Sequence, residues 1–334
     1  MSSLDNIFPS DRSKFELSGE FPGWLSFVPK RESYLEDLEV LNKYKDLKII
    51  VTLHLRSNYT PWGFHQDDLL MIEGLLDFQG LNISAHFENL SLIQAKRNLK
   101  LLCIFDYVNS EYGPTPEIHL NLRALQNLSL FRPPVLANKK SKIDFGSCNS
   151  LKVLFLSSLS EKEDRVLSDL HNLPNLQYLS LHRPTFSSFG CLRGVPQLNM
   201  LEVDYARNLN DVSGLRDWKN IELIDFHNCP NIDDVESLKS AKRLRFLRFW
   251  GSRKLKSLSC LSGLKIECLD FFESNILDGD LSFIETLNEL QYLRFSNKRH
   301  FNRKLSNFLE LSGVRTSSPS VWSEHCDNAL SSII

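Results

Sequence analysis

From residue 99 onward one pattern, apolar-x-x-apolar-x-apolar, returns at intervals of 22 to 26 residues. It reads LKLLCI at Leu99, LQNLSL at Leu125, LKVLFL at Leu151, LQYLSL at Leu176 and LNMLEV at Leu198. It continues as IELIDF at Ile221, LRFLRF at Leu244, IECLDF at Ile266 and LQYLRF at Leu290. Nine matches at this period do not arise by chance, and 58 leucines among 334 residues furnish them. A single short strand cannot bury its apolar side chains, so units of this kind must stack. The three motif positions then face a shared core, and the residues between them line an exposed sheet. FQGLNI at Phe78 fits as an earlier unit, and LKIIVT at Leu47 fits less well.

A second apolar set follows each strand motif: Phe186, Phe189 and Leu192; Leu209, Val212 and Leu215; Ile232, Val235 and Leu238; Leu255, Leu258 and Leu261. With this return arm in place the chain resembles the leucine-rich repeat family, in particular its short class found in bacterial proteins and phosphatase regulators. The resemblance covers residues 78–297. It implies an α/β fold: a leucine-rich-repeat solenoid with a parallel concave β-sheet, short helices or 3₁₀ turns on the convex side, and capped ends. EKEDRVLSDL at 161–170 has helical spacing, whereas an arm such as DVSGLRDW has room for a turn or a 3₁₀ piece. The family places Asn or Cys at the ninth motif position, where this chain has Tyr107, Pro133, Leu159, Pro184, Ala206, Cys229, Ser252, Ser274 and Lys298. Only Cys229 and the two serines suit that role, so irregular bends are expected.

Three segments follow. Residues 1–77 form an N-terminal cap with a weak first repeat and an inserted loop, RSNYTPWGFHQDD at 56–68. Residues 78–297 form the solenoid, and 298–334 a C-terminal cap or tail ending in VWSEHCDNALSSII. Open solenoids need such caps for solubility.

Composition narrows the function. With 39 Lys+Arg against 41 Asp+Glu the formal charge is −2, which offers no basic field for a phosphate backbone, so no nucleic-acid partner is expected. No run approaches the length of a membrane span, so no membrane partner is expected either. Acidic and polar residues interrupt the N-terminus where a signal peptide has its apolar stretch. Seven scattered cysteines without a CxxC pair read as reduced thiols, and the expected location is cytoplasmic. The chain is expected to be a monomer on its own.

The exposed columns of the sheet carry the candidate site. The later units present Tyr178, His182, Arg183, Glu202, Asp204, Tyr205, Asp225, His227, Arg248, Trp250, Asp270, Phe272, Tyr292 and Arg294. Aromatic and Arg anchors among charges are the make-up of a protein–protein hot spot, with Trp250 the best individual anchor. The competing reading is a self-satisfied ladder, in which Arg248 between Asp225 and Asp270 needs no partner.

Catalysis and cofactors are not expected. His182, Asp204 and His227 fall in one column, but no fourth ligand and no group to orient the imidazoles accompanies them, so no metal is assigned. No Ser or Cys stands beside them as a nucleophile. No G-x-x-x-x-G-K-[ST], G-x-G-x-x-G after a strand, or H-E-x-x-H occurs. The expectation is a non-catalytic protein-binding module that uses its concave face. Its most concrete form is an immunity protein covering a toxin's active cleft; the alternatives are a scaffold or regulatory adaptor of an endogenous enzyme, and an effector delivered to another cell.

Overall fold

The computed structural model describes residues 14–18, 21, 24–44, 46–54, 78–84, 93, 96–105, 119–133, 142–145, 148–157, 169–192, 195, 197–312, 314–316 and 319–333. The 56–68 loop and most of 161–170 lie outside the described residues, as does Tyr107. The chain divides into two compact units, Met1–Leu151 and Lys152–Ile333. Each is built on a parallel sheet with the repeat's leucines beneath it.

The first unit opens with strand β1 (Phe15–Leu17), which pairs antiparallel with β2 (Leu25–Phe27). Helix α1 (Tyr34–Lys43) follows, then β3 (Ile49–His54), β4 (Gly80–Ser84) and β5 (Leu101–Phe105). Next come β6 (His119–Asn121), β7 (Leu130–Arg132) and β8 (Lys142–Asp144). β2, β3, β4, β5 and β7 run parallel in that order, while β6 and β8 form a separate parallel pair. At the start of α1 the buried Asp37 carboxylate accepts from Ser33 Oγ at 2.7 Å, Lys30 N at 2.9 Å and Lys14 Nζ at 3.1 Å.

Two registers in this unit differ from the sequence reading. The unit read as LQNLSL at Leu125 sits three residues later: Leu101 pairs with Leu130, Leu102 with Phe131 and Cys103 with Arg132. The strand motif there is Leu128, Phe131 and Pro133, and Phe131 belongs to the core, fully buried. Leucines at 122, 125, 128 and 130 repeat closely enough that two frames fit, and pairing with β5 decides between them. LKIIVT is a true strand but slipped by one residue, since Val51 pairs with Leu81 and Leu53 with Ile83. Such a slip exchanges the two faces of a strand. It escapes the sequence because Ile49, Ile50, Val51, Thr52 and Leu53 are all buried, leaving no alternation to read.

The second unit is more regular. Strands β9 (Val153–Ser157), β10 (Tyr178–His182), β11 (Met200–Asp204), β12 (Leu223–His227), β13 (Phe246–Trp250), β14 (Cys268–Phe271) and β15 (Tyr292–Phe295) pair parallel in sequence order. Helix α2 (Leu305–Ser312), the short β16 (Arg315–Thr316) and helix α3 (Pro319–Ile333) close the chain. β16 pairs parallel with β15, so the tail contributes one more strand. The motif leucines are core: Leu179, Leu201, Ile224, Leu247, Leu269 and the neighbouring Leu293 are all fully buried. Beneath the third motif position Phe226 stacks on Phe249 at 5.3 Å and Phe271 on Phe295 at 4.8 Å between ring centroids.

The return arms are 3₁₀ turns at Phe189–Leu192, Ser213–Asp217, Glu236–Ser240, Ser259–Leu261 and Ser282–Thr286, as expected for arms this short. Each is opened by one side chain that accepts from the backbone N–H two residues on. Ser188 does so at 3.0 Å, Asp211 at 2.8 Å, Asp234 at 2.8 Å, Ser257 at 3.1 Å and Asp280 at 2.9 Å. These five residues recur every 23 positions. Each fixes the start of its turn by the local bond that Ser and Asp favour there.

The bends leaving the strands are regular, contrary to expectation. Arg183, Tyr205, Asn228, Gly251 and Glu273 occupy one column, all with φ between 50° and 73°. A left-handed conformation costs an L-residue about 1–2 kcal/mol. Here it is offset by continuing the ladder: Arg183 N donates to Asp204 O at 2.7 Å, Tyr205 N to His227 O at 2.9 Å, and Asn228 N to Trp250 O at 2.8 Å. At the next position Cys229 Sγ bonds Val203 O at 3.4 Å, Ser252 Oγ bonds Cys229 O at 3.2 Å, and Ser274 Oγ bonds Phe249 O. The two serines therefore perform the family's Asn or Cys role in full.

Two substitutions test this packing. Leu247→Ala is expected to lower stability by about 2–5 kcal/mol in chemical denaturation, through lost burial and the cavity left behind. Gly251→Val is expected to lower it by about 1–2 kcal/mol, because a β-branched residue resists positive φ; Gly251 has φ 73° and its added Cβ would stand 3.1 Å from Asn228 Oδ1.

Candidate docking face

The strand register of the second unit arranges the outward side chains in columns. The first column runs Tyr178, Met200, Leu223, Phe246, Cys268 and Tyr292, and it is almost wholly apolar. An outward apolar column of this length needs a cover. Helix α3 supplies it. The His325 ring lies 4.5 Å from that of Phe246 and 5.9 Å from that of Tyr292. The guanidinium of Arg248 lies 4.7 Å over the ring of Trp322, which is buried. At the helix end Lys152 Nζ donates to Ile333 O at 2.9 Å. Trp322, Cys326, Leu330 and Ile333 fall at helical spacing on the inner stripe, and Trp322, Leu330 and Ile333 are buried.

The second column is polar: Ser180, Glu202, Asp225, Arg248, Asp270 and Arg294. Arg248 grips Asp225 with two parallel hydrogen bonds, Nε to Oδ1 at 2.6 Å and Nη2 to Oδ2. This bidentate geometry is the strong form of the pair. Burial pushes the Asp225 carboxyl up, against the pull of Arg248. Asp270 is fully buried; Oδ1 accepts from Phe272 N at 3.0 Å, and Oδ2 stands 3.8 Å from Arg294 Nη1. Arg248 is thus committed to one carboxylate and not shared between two. Tyr178 Oη donates to Glu202 Oε2 at 2.5 Å. Burial, and next the charge of Asp225, push Glu202 up to about 7.

The third column, with the bend column beside it, forms an open strip. Asp204 places Oδ2 3.0 Å from His182 Nδ1 and Oδ1 3.5 Å from His227 Nδ1. The carboxylate thereby holds the His182 imidazole by a hydrogen bond and has that of His227 close by. Ring follows ring along the strip: His182 and Tyr205 at 5.9 Å, Tyr205 and His227 at 6.2 Å, His227 and Trp250 at 4.9 Å, Trp250 and Phe272 at 6.1 Å. Guanidinium groups lie over several of them, Arg183 at 5.8 Å from Tyr205, Arg294 at 4.0 Å from Phe272 and 5.3 Å from Trp250. Tyr205 remains 39% exposed.

The structure therefore divides the fourteen residues read from the sequence. His182, Arg183, Asp204, Tyr205, His227, Trp250 and Phe272 stand on the open strip. Tyr178, Asp225 and Asp270 are buried and not open to a partner in this state, while Glu202, Arg248, Tyr292 and Arg294 are partly covered. For Tyr178, Glu202, Asp225, Arg248 and Tyr292 the reason is α3, which the sequence reading expected to cap an end or trail away. A signal for it exists: Met200, Leu223 and Phe246 are apolar at outward positions, and the tail carries a matching apolar stripe.

Among the described residues no group of His, Cys, Asp and Glu is arranged to hold a metal ion, and no helix is long and apolar enough to cross a membrane. Burial pushes the thiols of Cys148 up to about 11 and of Cys229 and Cys260 to about 12, the opposite of an activated thiolate.

No protein-family model matches the chain, and no curated protein matches it. Among solved structures it is similar to an internalin, InlF of Listeria monocytogenes, at 13% identity over 80% of this chain and 77% of that one, with a TM-score of 0.48. It is similar to the Leptospira interrogans leucine-rich repeat protein LIC12759 at 14% identity over 78% and 90%, with a TM-score of 0.33. Mouse RP105, in complex with MD-1, aligns at 16% identity over 83% and 53%, with a TM-score of 0.44. The leucine-rich-repeat solenoid assigned to this chain rests on its own strand register and repeat spacing.

Removing one partner of the buried ion pair gives a direct test of this face. Asp225→Ala is expected to lower stability by about 3–5 kcal/mol in chemical denaturation, because it strands the Arg248 guanidinium under α3.

Proposed function

We propose that the chain is a non-catalytic protein-docking module and that its partner contacts the open strip from His182 to Phe272. The observation that carries this reading is the unbroken run of rings and guanidinium groups beside exposed Tyr205. Such an arrangement presents large, rigid contact area among charges, the composition of an interface hot spot. The titratable groups support a binding use over a catalytic one, since Asp225 is held by Arg248, Glu202 by Tyr178 and Asp204 by His182. A binding module of this form works by occlusion, with charged neighbours steering association. We take its most concrete use to be that of an immunity protein lying over a toxin's active surface, in the cytoplasm. Cys148, Cys229 and Cys260 support that location, because each bonds a backbone carbonyl through Sγ, a role of the reduced thiol.

Tyr205→Gly is the sharpest test. At φ 55° glycine is at ease, so the substitution removes the ring and relieves the backbone together. Stability is expected to hold or rise, while affinity for the partner captured by the wild-type protein falls about thirtyfold, the ~2 kcal/mol of a hot-spot residue. Trp250→Ala is expected to weaken the same complex, and a toxin partner is expected to be neutralised by the wild type and not by either variant. A complex of unchanged affinity in both would move the docking site off this strip, and a captured housekeeping enzyme would favour the adaptor use.

A further inference from the structure

The floor beneath α3 mixes two kinds of group. Its apolar column holds the helix, but the column beside it places carboxylates under a cover. Glu202 is at the centre of this conflict. β10 presents Tyr178 and His182 to it, β11 Asp204, β12 Asp225 and His227, and β13 Arg248; α3 closes over them with Cys326 and Asp327. A cleft of about 280 Å³ remains between helix and sheet, lined by Glu202, Asp204, Asp225, Arg248, Trp322 and Cys326. Arg248 is the fixed cation of this group among the described residues, and both of its bonds go to Asp225. Ionised Glu202 therefore adds a carboxylate to the covered seam with no cation of its own, one strand away from Asp225.

We propose that α3 is a releasable cover of the sheet face whose closure depends on a proton held by Glu202. With the proton in place no further charge joins the buried Asp225–Arg248 pair, and the helix stays seated. When the proton leaves, the helix lifts and uncovers Tyr178, Met200, Leu223 and Asp225. The use of the uncovered face rests on the docking reading above, but the cover itself does not.

The pH sense follows from the direction of the shift. Burial and the Asp225 charge raise Glu202 from 4.5 to about 7 in the closed state. A carboxyl that binds its proton more tightly when covered favours closure at low pH and opposes it as pH rises through about 7. Removing such a shift changes the opening equilibrium on the order of a hundredfold.

Amide hydrogen exchange on the full chain reads this directly. Protection of α3, corrected for intrinsic exchange, is expected to fall on the order of a hundredfold between about pH 4.5 and pH 8, while β12 stays protected. Glu202→Gln is expected to keep α3 protected at both pH values; the imidazoles are present in both proteins, so the comparison isolates the carboxyl. Equal α3 protection at both pH values in the wild type, or the same loss in Glu202→Gln, overturns the proposal. Tyr178→Phe provides a second reading should the glutamine variant fail to fold. It removes a hydroxyl that favours the charged carboxylate, so release is expected to move to higher pH; an unmoved midpoint counts against the proposal. No partner is needed, so this outcome is independent of whether Tyr205 and Trp250 dock one.

Discussion

A parallel strand has two faces, and in residues 152–333 both carry apolar side chains. The inward face is the repeat's own, with Leu179, Leu201, Ile224, Leu247 and Leu269 stacked beneath the sheet. Its outward counterpart, Met200, Leu223, Phe246 and Cys268, has no repeat to bury it. Parallel sheets are stable where both faces are covered. The C-terminal helix meets that need, with Trp322, Leu330 and Ile333 as its buried stripe. What the sheet can offer a partner, which carboxylates are buried, and where the open strip begins all follow from the placement of this helix.

The polar column beside the apolar one shows the consequence. Asp225 and Arg248 form a bidentate pair under Trp322, an arrangement that in the open would contribute little. Covered, each charge depends on the other, and losing either leaves an unpaired ion in a dry seam. Glu202 has no such partner, and its raised proton affinity reports the same burial. A single element thus turns a surface ladder into a buried one and leaves the strip from His182 to Phe272 as the exposed remainder.

Much of this was legible in the sequence, and the failures have physical reasons. The frame from Leu151 to Leu290 could be read because the apolar-x-x-apolar-x-apolar spacing returns there in a single register, with the residue between its last two apolar positions mostly polar. It failed at Ile49–Leu53, where burial on both sides erases alternation, and at Leu125, where leucines spaced two and three apart admit two frames. The outward column was half legible: Trp250 and the charges stood out by type, but Met200, Leu223 and Phe246 looked like spare hydrophobics. Their meaning depends on a helix more than seventy residues downstream of Phe246, which no local pattern links to them. The 23-residue recurrence of Ser188, Asp211, Asp234, Ser257 and Asp280 was present and unread, since a lone Ser or Asp is common in any loop.

Helix α3 covers one part of the outward face and leaves another open. Carboxyl footprinting with a water-soluble carbodiimide and a small amine, read residue by residue by mass spectrometry near pH 6, tests it most directly. Asp204, whose side chain is 33% exposed, is expected to be modified along with surface carboxylates such as Asp233, while Asp225, 5% exposed, and Asp270, fully buried, are spared. Modification of Asp225 at the rate of Asp233 would mean that the helix does not lie on the sheet.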